Sequence, residues 1–347
     1  MNLPVDIHTL DTHLIEVFAG ILAVSEDTLR VIRPRADAGA DAMIETWDHV
    51  FVIALKTRGS AGPVSAAIRT LSNLHTPKNA TRVVAVPYMN PSGRDVCERE
   101  GVSWFDFSGN ARIIAPKMRI LVEGRPNAYV TPGRPSSPFA PKSARISRWL
   151  LTHPDESFTQ RDIAQNVAVS EGLVSRVVSR LEEDHYVARD QDGQVFVSQP
   201  DLLFDAWRED YRFDKHTLIK GHMAARSGDA LARRVADTLA DANVDHAATG
   251  LAAAWQIARF AGFRTTTFYT DREALRVLED AGMRRVEKGA NLWVVLPNDK
   301  GVFQGAAKRD GVRCVHPIQT LLDLDSQPER AAEAAKNLRA EHMEWGT

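Results

Sequence analysis

Ser175, Arg176, Ser179 and Arg180 are the side chains whose types and spacing suit contact with a nucleic acid. They are small, hydroxylic or cationic, as a helix entering a major groove requires. The chemistry they offer is recognition: hydrogen bonds to base edges and charge against phosphate. Gly172 falls on the same side. Val174, Val177, Val178 and Leu181 recur at helical spacing and take the core side.

The element that must position them spans Glu171 to Glu183, within the stretch TQRDIAQNVAVSEGLVSRVVSRLEEDHYVARDQDGQVFV from Thr159 to Val197. Ser170 is its expected N-cap, because a hydroxyl there accepts an orphan backbone N–H. Thr159 caps a shorter helix over Gln160 to Asn166, with Ile163, Ala164 and Val167 as its apolar side. Beyond the second helix, Tyr186–Ala188 and Val195–Val197 read as strands, joined through Asp192-Gly193 as a tight hairpin. The whole is a winged helix-turn-helix. Its contacts are expected from Thr159, Gln160, Ser170, Ser175, Arg176, Ser179 and Arg180, with Arg189, Gln191 and Gln194 on the wing. The plainer alternative is a helical pair and hairpin that pack against another protein.

Upstream, the segment Phe107 to Pro154 carries Arg112, Lys117, Arg119, Arg125, Arg134, Lys142, Arg145 and Arg148 against the single acid Glu123. Such a stretch holds phosphates by releasing counterions. Arg145 and Arg148 sit at the edge of a helix, Ser143 to Thr152, that buries Ile146, Trp149 and Leu150 or Leu151; they are the expected phosphate contacts. Against this stand the acids that follow, Asp155, Glu156, Asp162, Glu171, Glu182, Glu183, Asp184, Asp190 and Asp192. Glu171 suits the positive end of a helix or accepts from cytosine N4. Glu182 to Asp184 fall at the far end of the recognition helix.

The chain of 347 residues has room for several domains. Its 44% hydrophobic and 25% charged residues are those of an ordinary globular protein, and the net charge of -2 specifies no partner. Cys97 and Cys314 are far apart and in no metal-ligand spacing, which fits a reducing cytoplasm. No secretory leader and no membrane-spanning apolar run is legible. Arg125 to Lys142, with Pro126, Pro132, Pro135, Pro138 and Pro141, is a stiff connector. The expected organisation is an α/β multidomain chain: an α/β domain over 1–124, a linker over 125–142, the winged helix over 143–199, and a C-terminal α/β domain over 200–347.

In the first domain, apolar runs at Asp48–Lys56, Arg82–Pro87 and Val102–Asp106 alternate with helices over Val64–Leu74 and Ser92–Glu100, after an opening helix over His8–Leu22 and a strand over Leu29–Pro34. The run from Val83 to Ile113, preceded by a strand ending IALK, resembles restriction-endonuclease-like domains of the PD-(D/E)xK type. In active members, carboxylates and a lysine at the end of the second core strand hold a divalent metal that activates water. Lys56 is present, but Ala54 stands where the acid would be, and Asp48 cannot replace it from its position. The resemblance therefore implies a degenerate, inactive nuclease scaffold with no metal. Asp106, Ser108, Gly109 and Asn110 read as a turn.

In the last domain, helices are expected over Leu202–Tyr211, Ser227–Asn243, Ala247–Phe260, Arg272–Asp280 (capped by Asp271), Ile318–Leu324 and Pro328–Trp345, and strands over Arg264–Tyr269, Leu292–Leu296 and Val312–Val315. His216 and His222, in a polar segment, are a poor metal motif. The stretches ATGLAAAWQIA, TFYTDREALRVLEDAGMRRVEKGANLWVVLP and GVRCVHPIQTLLDLDSQPERAAEAAKNLRAE resemble the C-terminal domain of AbiEi-type antitoxin regulators, with Gly250, Pro317, Gln319, Asp323 and Leu324 as the clearest marks. The resemblance implies a nucleotidyltransferase-like fold, double-stranded DNA as a partner, repression of the protein's own promoter, and a cognate toxin. Such regulators are commonly dimers, although no dimerisation heptad is legible. Nucleotidyl transfer itself is not expected: Leu251 follows Thr249-Gly250 where a Gly-Ser turn is needed, and Asp271 has no second acid two residues away. No phosphate-binding, zinc-protease or nucleophile-elbow motif is present, and no cofactor is expected. The sequence thus describes a DNA-binding regulator rather than an enzyme. The alternatives are a metal-dependent nuclease, or an interaction module that binds no DNA.

Overall fold

The computed structural model describes residues 7–34, 39–46, 49–77, 79–129, 137–259 and 262–343. Asp48, Pro132, Arg134, Pro135, Phe260 and Trp345 lie outside them. The chain divides into two compact units, Met1–Pro135 with Leu181–Val187, and Ser136–Arg180 with Ala188–Thr347.

The first unit is an α/β layer. Helix α1 (Ile7–Leu22) precedes β1 (Arg30–Ile32), β2 (Ala42–Glu45) and β3 (Val50–Leu55). Then come α2 (Ala61–Ser72), β4 (Ala80–Val86), α3 (Pro91–Arg99), β5 (Ser103–Asp106), β6 (Ala111–Ala115) and β7 (Met118–Val122). The strands lie side by side in chain order. β3, β4 and β5 are parallel, joined through α2 and α3; the remaining pairs are antiparallel. Near-continuous apolar runs form β3 and the end of β4 because both faces are covered. Phe51, Ile53, Val83, Ala85 and Phe105 meet Leu14 and Phe18 of α1 in one core. The ring of Phe18 stands edge-on to Phe51 at 4.9 Å.

The second unit opens with α4 (Ala144–Thr152) and α5 (Gln160–Asn166). Next are α6 (Glu171–Glu183), which crosses the boundary between the units, and the hairpin β8 (Val187–Arg189) and β9 (Val195–Val197). After α7 (Pro200–Asp210) the chain lays down β10 (Thr217–His222), α8 (Gly228–Asp241), β11 (His246–Thr249), α9 (Gly250–Ile257), β12 (Thr266–Thr270) and α10 (Glu273–Asp280). It closes with β13 (Arg284–Arg285), β14 (Leu292–Leu296), β15 (Ala307–Arg309), β16 (Val312–Cys314), α11 (Pro317–Leu324) and α12 (Ala331–His342). The mixed sheet runs β13-β10-β14-β12-β11-β16-β15. β12 and β14 are parallel, as are β11 and β16. One face carries Phe213, Ala247, Tyr269, Val295, Val302 and Val315; α8 and α9 pack against β11 and β12. Among the described residues no helix is long and apolar enough to cross a membrane.

Two departures from the sequence expectations have clear causes. Ala247–Phe260 is not one helix: His246–Thr249 is a central strand and the helix begins at Gly250. Alanine favours helix locally, but Ala247 and Ala248 are fully buried between β12 and β16, where pairing decides. Gly250, at φ +56°, makes the break, a conformation glycine adopts without a Cβ penalty. The polar segment after α7 is likewise a strand, β10, paired on both sides despite lacking apolar alternation.

Phe105 is completely buried between α1 and the flanking strands of the first core. Replacing Phe105 with Ala is expected to destabilise the chain by about 3–5 kcal/mol through lost transfer energy and the cavity left behind. Urea denaturation of the variant beside the parent measures this directly.

Candidate nucleic-acid interface

The winged helix is assembled by local hydrogen bonds. The Thr159 hydroxyl accepts from the Asp162 backbone N–H at 3.1 Å, and the Asp162 carboxylate accepts from the Thr159 backbone N–H at 3.2 Å, closing a capping box at the start of α5. Ala168, at φ +54°, turns the chain, and Ser170 Oγ accepts from Leu173 N at 3.3 Å to cap α6. On α6, Val174, Val177, Val178 and Leu181 are buried. Phe158 bridges to Val195, completing the small sheet with β8 and β9. In the wing, Asp190 Oδ1 accepts from Asp192 N at 3.0 Å and Gln194 N at 2.8 Å, while Gly193 sits at φ +76°.

The exposed face of α6 carries Glu171, Gly172, Ser175, Arg176 and Ser179, with Arg180 half-buried beside them. Ser175 and Ser179 lie one turn apart on that face. No hydrogen bond or ion pair engages the Arg176 side chain among the described residues. Gln160 and Gln194 are half-buried; Gln191 and Arg189 are exposed, and Arg189 donates to Gly193 O at 3.1 Å across the wing. Thr159 and Ser170 are exposed, but their hydroxyls are occupied as caps. Asp162 and Asp190 accept from backbone N–H groups and keep their negative charge. Arg161, absent from the residues expected from sequence, is exposed on α5 and has no partner among the described residues.

Arg145 and Arg148 stand elsewhere, which corrects the expectation that they hold phosphates. Arg145 forms a two-pronged ion pair with Asp299 at 2.7 and 2.9 Å and also donates to Val167 O at 3.3 Å. Its pKa is raised, chiefly by the hydrogen bond to Asp299. Arg148 is only 3% exposed. It donates to Gln319 Oε1 at 2.5 Å and lies 4.9 Å over the Trp207 ring. Burial lowers its pKa to about 10, still well above neutrality. The helix edge that looked solvated is covered by α7, α11 and the turn at Lys300–Phe303.

Gln319 leads to a buried polar network. Asp323, with no exposed surface, accepts from Tyr269 Oη and Gln319 Nε2 at 2.9 Å each, and from the hydroxyls of Tyr211 and Thr249. Desolvation raises its pKa to about 6, opposed by these donors. Tyr211 and Tyr269 are pushed well above the usual phenol range, first by burial and then by the Asp323 charge. His216 is driven down to about 4 by burial and by Arg148, so it is neutral at pH 7. Its Nδ1 accepts from Asn298 N at 3.1 Å, which assigns the proton to Nε2, 3.0 Å from Tyr211 Oη. This network binds α7, β11, β12 and α11 together, and Tyr211 and His216 also line a cavity of about 190 Å³. Its signal in the sequence is a Gln-Asp pair four residues apart in the apolar helix PIQTLLDL.

In the first unit, Ala54 is buried inside β3, and Lys56 follows the end of that strand. Asp106 combines the expected turn with complete burial, accepting from Met89 N at 3.1 Å and Asn110 N at 2.8 Å. Desolvation raises its pKa, and these donors oppose the rise. Among the described residues no three His, Cys, Asp or Glu side chains cluster as a metal site.

No family model matches the sequence, and no curated protein matches it. Among solved structures, a repair endonuclease from Pyrococcus abyssi aligns at 18% identity and a TM-score of 0.21, covering 28% of this chain and 46% of that one. The aligned part thus spans less than half of that protein, and no functional conclusion rests on it.

The Asp323 pKa has a signed consequence for stability. The folded state holds this proton up to about pH 6, against an ordinary value of 3.8, so it binds more protons than the unfolded chain between those limits. Its contribution is therefore full below pH 3.8 and is lost as pH rises through about 6. Asp323→Asn is expected to remove that fall. Subtracting the two unfolding free-energy curves between about pH 4 and 6 isolates it, and parallel curves would contradict it.

Proposed function

We propose that this chain is a transcriptional regulator that reads double-stranded DNA with the exposed face of α6. The observation that carries this reading is Arg176, uncommitted and flanked by the small hydroxylic residues Ser175 and Ser179 on a doubly capped winged helix. An arginine at that place suits bidentate contact with guanine O6 and N7, while serines admit either donors or acceptors and let the helix approach closely. Arg161 on α5 takes the backbone-positioning role, since the first helix of the motif crosses the phosphates. Gln191 and Arg189 place the wing against the adjacent backbone. The likeness of Ala248–Glu341 to AbiEi-type regulators supports the finer reading: a promoter-repressing antitoxin with a protein toxin as its second partner. The first unit then acts as a scaffold, because Ala54 replaces the acid that a PD-(D/E)xK metal site needs.

Binding to DNA from the gene's upstream region, compared with random DNA of equal length and titrated with salt, tests this. Arg176→Ala is expected to reduce discrimination by about 1–3 kcal/mol. Unchanged preference in that variant, or no salt-sensitive binding by the parent, would move the winged helix to a protein-interaction role.

The cations separate by the salt dependence they carry. Arg161→Ala is expected to lower the slope of log affinity against log salt by about one while preserving sequence preference. Arg148→Ala is expected to lower the unfolding temperature instead, leaving the slope unchanged in protein that remains folded.

A further inference from the structure

β12 and β14 run parallel and end together at Thr270 and Leu296. A cleft of about 330 Å³ opens there. Such crevices, outside the carboxyl ends of parallel strands, are where open α/β sheets take ligands. Three cations line it: Lys215 from the turn before β10, Arg272 at the start of α10, and Lys300 from the loop after β14. No acid pairs with any of them among the described residues.

Two acids share the cleft, and one of them is ion-paired. Asp245 binds Arg313 at 2.5 Å, and Asp271 Oδ1 accepts from Glu273 N at 3.0 Å. Asp299, beside Lys300, is held by Arg145. Asp245 and Asp299 are neutralised by their arginines while Asp271 keeps its charge, so the three cations leave the cleft with a net positive charge. The remaining wall is mixed: Thr217 and Asn298 offer hydrogen bonds, and Leu296, Pro297 and Phe303 are apolar. The cleft lies at the opposite end of the strands from Thr249-Gly250, because β11 and β12 are antiparallel, with His246 beside Thr270 and Thr249 beside Thr267. It is thus separate from the place where a nucleotidyltransferase would hold triphosphate.

We infer that this cleft binds a small phosphorylated molecule of nucleotide size, with Lys215, Arg272 and Lys300 on the phosphates and the Leu296–Phe303 wall against its apolar part. A lone surface cation would be weak evidence. Here three converge on one concavity where they outnumber the single unpaired acid, beside a wall that suits a ring.

Calorimetric titration of the full chain with ADP tests it, with adenosine and inorganic phosphate as comparison probes. ADP is expected to bind, adenosine alone not to, and Arg272→Ala/Lys300→Ala to weaken ADP by at least about ten-fold. Both substituted side chains are exposed, so the fold should persist, which an unchanged unfolding temperature checks. Arg176→Ala should leave ADP affinity intact, separating this cleft from the α6 face. No ADP binding at millimolar concentration, equal affinity for adenosine, or equal affinity in the double variant would each overturn the assignment. Inorganic phosphate binding as tightly as ADP would overturn the role given to Phe303.

Discussion

A carboxyl group sealed from water must find its hydrogen bonds inside the protein, and Asp323 is the group on which the second unit turns. Each donor around it comes from a different element: Tyr211 after α7, Thr249 at the end of β11, Tyr269 in β12 and Gln319 on α11. An unsatisfied polar group at this depth costs on the order of 1–3 kcal/mol, and more if charged, so those elements must arrive in register. Gln319 then passes the constraint outward, accepting from Arg148 of α4. Helix α4 is therefore pinned to α11 and α7 by side-chain chemistry as well as by apolar packing.

That pinning divides the arginines by role. Arg145 and Arg148 are structural cations, one paired with Asp299 and one buried against Gln319 and Trp207. Arg176 and Arg161 remain exposed and uncommitted. The acids divide in the same way: Asp162 and Asp190 serve a capping box and a turn, so their negative charge is directed at backbone N–H groups. A charge count along the chain misjudges the arginines. It overstates the phosphate-binding capacity of α4, whose arginines are committed inside the protein.

Much of the helical framework was legible from local pattern. Thr159 and Ser170 cap the helices they were expected to cap, and Val174, Val177 and Val178 face inward at the expected spacing. β3 and the end of β4 were legible because burial on both faces makes them continuously apolar. β6 and the edge strand β7 are not legible in the sequence: exposed or half-buried positions such as Ile114, Arg119 and Leu121 blur their pattern. Asp323 and Gln319 were visible only as marks of likeness, since nothing local says that a Gln and an Asp in an apolar helix will meet two tyrosines and an arginine.

The sequence by itself determined the elements whose causes are local: caps, turns at glycine, and the two-faced α6 that presents Ser175, Arg176 and Ser179. Hydrogen bonds between residues three or four apart and the period of a helix need no distant partner. Tertiary structure decided where the choice depends on what arrives from far along the chain. It made a strand of the alanines at 247 and 248, took Arg145 and Arg148 from the surface, and gathered Lys215, Arg272 and Lys300 around one cleft. The physical reason is that burial and pairing energies belong to both partners, and a one-dimensional pattern records only one of them.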